Sequence, residues 1–146
     1  MVYANRFIDP LEKKAQKTTG ALFTPDKIDK LILQTIPYEY PRRDIEVTMS
    51  CDEFTCVCPF SGLPDFADII IRYTPRKKLV EMKSLKYYLY AFRNVKTYNE
   101  HAVNKIIEDL TRLLSPHKMT IEGRFTSRGG ITNTVIASYP FRKVKK

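Results

Sequence analysis

Apolar and polar residues first alternate strictly at Ile45, Val47, Met49 and Cys51, which are interleaved with Glu46, Thr48 and Ser50. A period of two predicts a half-buried strand there. Pro59, Gly62 and Pro64 interrupt the stretch that follows, so 52–65 reads as a loop. Ala67, Ile69, Ile71 and Tyr73 then share one face of a second strand that ends at Thr74-Pro75. Near Ser84 the period becomes helical, with Leu85, Tyr88, Leu89 and Phe92 at i, i+3, i+4 and i+7. Val103, Ile106, Ile107, Leu110 and Leu114 form the stripe of a second helix, which Ser115-Pro116 stops. Met119, Ile121 and Phe125 mark a third strand. Ser127-Arg128-Gly129-Gly130 supplies a turn, and Ile131, Val135, Ala137 and Tyr139 a last strand.

This order predicts an α+β unit with a four-stranded antiparallel sheet and both helices on one face. Two open sheet edges favour oligomerisation. Residues 1–43 lack a sustained period: Pro10, Pro25, Pro37 and Pro41 interrupt them, and only 25–34, with Ile28, Leu31 and Ile32 at helical spacing, predicts a short helix. We read 1–43 as an arm over the domain or a neighbouring subunit, 44–141 as the folded domain, and 142–146 as a basic tail. No repeat or low-complexity segment stands out.

At 146 residues the chain suits one domain. No apolar run reaches the roughly 18–20 residues that span a bilayer. Met1 to Lys17 is too charged for a signal peptide. A cytoplasmic protein is expected, and three cysteines in a reducing compartment do not suggest a disulfide framework. Lysine and arginine exceed aspartate and glutamate by 25 to 16, a formal charge of +9 that favours polyanions: nucleic acid, anionic membrane or a phosphorylated cofactor. The sign does not choose among them. Part of the excess lies in Lys13, Lys14 and Lys17 and in Arg142, Lys143, Lys145 and Lys146, where solvated ends are the ordinary reading.

Candidate chemistry gathers at three places. Cys58 lies in a Pro/Gly loop before a strand, with Asp65 seven residues on. A thiol acts as a nucleophile when it is a thiolate, which needs exposure and a nearby base or positive charge. Gly62 and Pro64 allow a turn that folds Asp65 back, yet a buried structural cysteine fits the pattern as well. Cys51, Cys56 and Cys58 have poor zinc spacing and no suitable histidine nearby, so no metal is expected. Lys83 and Lys86, three apart at a helix start, suit a phosphate, with Arg128 as a further cation; a solvated basic face is the alternative. No G-x-G-x-x-G follows a strand. Glu100 either caps the second helix, at capping-box spacing from Thr97, or reads the N–H donors of a guanine-like edge.

Taken together these stretches resemble the QueF family of the tunnelling fold. The resemblance rests on Cys58, Pro59, Gly62, Pro64, Asp65, Phe66 and Ala67, and on the signature at 81–88, which departs from the family at Met82 alone. Phe92-Arg93-Asn94 and the turn from Phe125 to Gly130 also fit, so that the likeness covers about 44–137. It implies a ββααββ unit with two antiparallel helices, whose sheets join into a barrel, and a homo-oligomer of two pentameric rings. It implies an NADPH-dependent reductase of 7-cyano-7-deazaguanine, a small-molecule step of queuosine biosynthesis with no direct nucleic-acid partner and no membrane. Cys58 would form a thioimide with the nitrile and Asp65 would donate a proton. Val80, Glu81, Met82, Asn99 and Glu100 would bind substrate, with Glu100 anchoring the ring. Lys83, Lys86 and Arg128 would face the cofactor. Asn99 stands where the family has histidine, with His101 displaced to the far side of Glu100. A related amidine-forming branch acts on a tRNA-borne nitrile but lacks the Glu-x-Lys-Ser-x-Lys signature. Pterin enzymes of the same fold use a ligand set missing here. A basic RNA-binding module remains as a reading from a different class.

Overall fold

The chain's architecture follows from a computed structural model, which describes residues 24–142 together with Pro10. Most of the expected arm before residue 24, with Lys13, Lys14 and Lys17, lies outside the described residues, as do the tail lysines 143, 145 and 146.

Strand β2 (Val47–Val57) pairs antiparallel with β3 (Pro64–Thr74), β3 with β5 (Lys118–Arg128), and β5 with β6 (Ile131–Tyr139), in the order β2-β3-β5-β6. Helices α1 (Met82–Tyr90) and α2 (Asn99–Leu114) fall between β3 and β5 in the chain. A second, two-stranded sheet pairs β1 (Thr35–Pro37) with β4 (Lys78–Val80), which the alternation pattern does not announce because each strand is three residues long. The protein is thus α+β.

The expected loop 52–65 is shorter than its sequence suggests. Strand β2 runs on to Val57, and β3 begins at Pro64. The register slips by one residue between Cys51 and Phe54, a bulge that moves the inward phase from Val47, Met49 and Cys51 to Phe54 and Cys56. A one-residue shift exchanges the faces of a strand, so the alternation only seems to stop at Cys51. Residues 25–34 also differ from expectation: two 3₁₀ turns, Pro25–Lys27 and Lys30–Ile32, replace the short helix. The Asp29 carboxylate accepts from the Leu31 amide at 2.9 Å, and Ile28 between the turns is extended. Such local side-chain bonding competes with helix propagation.

The core lies between the sheet and the helices. The inward residues of β3 (Ala67, Ile69, Ile71, Tyr73) and the stripes of α1 and α2 are buried in it, with Ile28 and Ile32 of the N-terminal segment. Phe54 and Phe92 meet with ring centroids 5.2 Å apart, and Tyr88 stands edge-on to Phe92. Burying each such side chain is worth about 1.5–3 kcal/mol. Gln34 fastens this segment to α1: its amide donates to Ser84 Oγ at 3.0 Å, and its carbonyl accepts from the Glu81 amide at 2.9 Å. No helix among the described residues is long and apolar enough to cross a membrane.

Candidate active site

Cys58 follows the last residue of β2, in a turn closed by two backbone hydrogen bonds. The Cys58 amide donates to the Leu63 carbonyl and the Gly62 amide to the Cys58 carbonyl, each at 2.9 Å. Gly62 takes a φ of +71°, open to glycine at little cost. The turn brings donors to the sulfur: the Ser61 amide lies 3.5 Å from Sγ. Hydrogen bonding from the Ser61 side chain, then from the Ser61 and Phe60 amides, holds the thiol below its ordinary value. Cys56 is buried two residues earlier, and burial foremost pushes its thiol up to about 12. Burial also raises the Cys51 thiol. The structural alternative left open for Cys58 by its sequence suits Cys56 instead.

Asp65 is the second residue of β3, on the inward face that Ala67 continues, and is largely buried. Arg128 reaches it from the end of β5. Its Nε lies 2.8 Å from Asp65 Oδ1, and its Nη2 donates to the Pro64 carbonyl at 2.6 Å. Gly129 and Gly130, at φ +57° and +80°, make the hairpin turn beyond it.

The third component comes from α2. Val57 donates to the Val95 carbonyl at 2.9 Å, and the Thr97 amide donates to the Val57 carbonyl at 3.0 Å. This short bridge ties the segment before α2 to the end of β2. It brings the first turn of α2 beside Cys58. Cys58, Pro59, Asp65, Thr97, Tyr98, Asn99, Glu100, Arg128 and Asn133 line one cleft of about 250 Å³.

The capping box between Thr97 and Glu100 is not formed. Tyr98 is the N-cap residue of α2 without a side-chain cap bond, and Thr97 Oγ1 instead donates to the Tyr98 carbonyl at 3.2 Å. Glu100 Oε1 accepts from Asn133 Nδ2 of β6 at 3.0 Å. Its own backbone amide first, then the Asn133 side chain, hold the Glu100 carboxyl below its ordinary value. Asn99 Oδ1 is buried and finds no hydrogen-bond partner among the described residues. His101 is not among the cleft-lining residues and packs edge-on against Tyr98, with centroids 5.6 Å apart.

The remaining candidates lie elsewhere in the chain. Val80 is buried in β4, where its amide donates to the Tyr73 hydroxyl at 3.2 Å. Glu81 is the N-cap of α1, its carboxylate accepting from the Lys83 and Ser84 amides at 2.9 and 2.7 Å. Partial burial pushes its carboxyl up, but those amide bonds outweigh it and hold it low. Met82 is exposed, and Lys86 lies over the Tyr87 ring at 4.7 Å. Met82, Leu85, Lys86 and Leu89 share a groove of about 420 Å³ with residues 48–53 of β2. That groove and the Cys58 cleft have no lining residue in common, and Arg128 belongs to the cleft.

Sequence reasoning missed Asn133 and Ser61. Asn133 carries a signal: it shares the inward phase of β6 with Val135, Ala137 and Tyr139. A polar residue in an apolar phase asks for a partner. Ser61 carries none, since turns are commonly rich in serine.

The α+β fold places a partly exposed thiol, held below its ordinary value, in one cleft with an arginine–carboxylate pair, an arrangement that suits covalent chemistry at cysteine. The family model described as QueF-like protein matches residues 64–143. The NADPH-dependent 7-cyano-7-deazaguanine reductase of Caldicellulosiruptor bescii is 48% identical over 129 residues, covering 88% of this chain and 98% of that protein. The enzyme of the same name from Caldanaerobacter subterraneus subsp. tengcongensis is 54% identical over 114 residues, 78% of this chain and 85% of that one. The chain belongs to the QueF-like family. Among solved structures, the apo form of the archaeosine synthase QueF-Like shares the fold, with a TM-score of 0.59 at 16% identity over 68% of this chain and 96% of that one.

Proposed function

We propose that this protein reduces the nitrile of 7-cyano-7-deazaguanine to the aminomethyl group with NADPH, through a thioimide on Cys58, as a step of queuosine biosynthesis. The observation that carries this reading is the meeting of an acidified thiol and the Glu100 carboxylate in one cleft. The names of relatives near half identity support the substrate and the cofactor.

The Cys58 thiolate adds to the nitrile carbon: an S–C bond forms, one π bond of the nitrile breaks, and the nitrogen takes a proton. Asp65 relays that proton, taking it from the Cys58 thiol as the thiolate forms and passing it to the nitrogen, and the Arg128 ion pair positions its carboxylate. Through to the amine the nitrile gains two hydrides and two protons, and cleavage of the S–C bond returns the thiolate. Glu100 accepts the N–H donors of the ring edge, which an analogue without them would leave unmatched. Asn99 Oδ1 is a further acceptor for such a donor. Asparagine cannot carry a proton as the family's histidine can, so Asn99 binds and orients.

NADPH, when bound, supplies the hydride. The first turn of α1 suits its phosphates: Lys83 and Lys86 are exposed there, beside an apolar groove floored by Leu85 and Leu89. Val80, Glu81 and Met82 sit at the same end of α1. Because groove and cleft are separate within one chain, we assign their union to neighbouring subunits. Sheets joined edge to edge into a barrel, in the tunnelling-fold manner, would present the 80–86 segment of one subunit to the Cys58 cleft of the next. Among the described residues β6 and most of β2 have no strand on their outer edges, which supports this assembly.

The test is NADPH oxidation by the purified protein with 7-cyano-7-deazaguanine. We expect two cofactors consumed per nitrile and complete loss in Cys58→Ala. A covalent adduct on Cys58 without oxidation would move the protein to the amidine-forming branch. The absence of both signals would overturn the reading.

A further inference from the structure

We infer that Asn133 is a positioning residue: it fixes the Glu100 carboxylate in the orientation that receives the ligand. The inference rests on the reading of Glu100 as the anchoring group. Asn133 and Glu100 stand on different elements, 33 residues apart, and both line the Cys58 cleft. Strand β6 is anchored beneath Asn133, whose register partner on β5 is the buried Phe125. Glu100, by contrast, lies in the exposed first turn of α2 on a side chain with three rotatable bonds.

The Tyr98 cap makes no side-chain bond, and the Glu100 carboxylate's bond on its own helix is to its own backbone amide. A second donor, from the rigid strand at 3.0 Å to Oε1, fixes the carboxylate from outside the helix. A carboxylate has about four lone-pair sites, so lone pairs remain to accept from a ligand. The same hydrogen bond favours the ionised carboxylate, the form that can only accept. A neutral carboxyl would present an O–H to the N–H donors of the ligand edge. Asn133 therefore serves binding twice, through orientation and through charge. Its polar side chain in an otherwise apolar strand phase has no packing reason to be there.

The test uses Asn133→Leu, which keeps the approximate shape without the donor, and Asn133→Asp, which is isosteric and also brings a like charge. Two readouts apply: the titration of Glu100, followed through ¹³C-labelled glutamate carboxyl resonances, and the steady-state constants for the nitrile at saturating NADPH. We expect the Glu100 midpoint to rise in both variants, and KM to rise about ten-fold at neutral pH while kcat changes far less. Asn133→Asp should show the larger shift. An unmoved Glu100 midpoint overturns the inference, and so does a raised midpoint with unaltered KM. Wild-type protein that neither turns over nor binds the nitrile refutes the proposed function, and the Glu100 titration still decides whether Asn133 holds the carboxylate.

Discussion

Cys56 lies in β2 and Cys58 in the turn just beyond it, and their thiols move in opposite directions. The Ser61 side chain and the amides of the turn stabilise the Cys58 thiolate, whereas burial away from water, with Asp65 as a second cause, penalises that of Cys56. A lowered value in the folded protein means that thiolate is present from a lower pH upward. We expect iodoacetamide to label Cys58 with a pH midpoint below that of a free thiol, and to leave Cys56 unlabelled across the neutral range of the native protein. Ser61→Ala should move the Cys58 midpoint upward, in part, because the amide donors remain. Peptide mapping by mass spectrometry reads all three, and equal labelling of Cys56 and Cys58 would defeat the argument. The motif singled out Cys58 in the sequence, but what separates the three thiols physically is burial and nearby donors, which only the fold supplies.

At the scale of elements, the site depends on how closely α2 lies against β5. Gly123 faces that helix, and a Cβ added there would come within 2.7 Å of Val103 Cγ2 and 3.0 Å of the Phe125 ring. We expect Gly123→Ala to destabilise the protein by about 1–3 kcal/mol through overpacking, read as a lowered Tm. The double variant Gly123→Ala/Val103→Ala should lose less than the sum of its single changes, since the clash is shared. Additivity would remove the clash as the cause. The helices are also joined by a buried polar group: Asp109 on α2 accepts from Tyr88 of α1 at 2.7 Å and from Lys105, with Lys30 at 3.7 Å. Helical periodicity announced both stripes correctly, because packing at i, i+3, i+4 and i+7 is a property of one segment. It did not announce β1 and β4, whose three residues each are held by pairing across the chain.

Among the described residues β2 and β6 form the two edges of the four-stranded sheet, β2 bridged at Val57 alone, and the apolar groove beside α1 stays apart from the Cys58 cleft. A family barrel would close both edges and join both surfaces, so activity should require the assembly. Light scattering on the active protein is expected to give about ten chains of 17.0 kDa, as two rings of five; a fully active monomer would sink the shared-site reading. The sequence by itself determined the phases of β3, β5 and both helices, the turn at Gly129-Gly130, and the residues that carry the family likeness. All of these are local, written in spacing or in a short motif. Tertiary structure alone decided where β2 ends, since a one-residue bulge changes faces only relative to a partner strand. It also decided that Glu100 bonds Asn133 of β6 and forms no capping box with Thr97, and that Glu81 caps α1. Those outcomes depend on which distant segments share a register, and register is a relation between strands that no single stretch of chain contains.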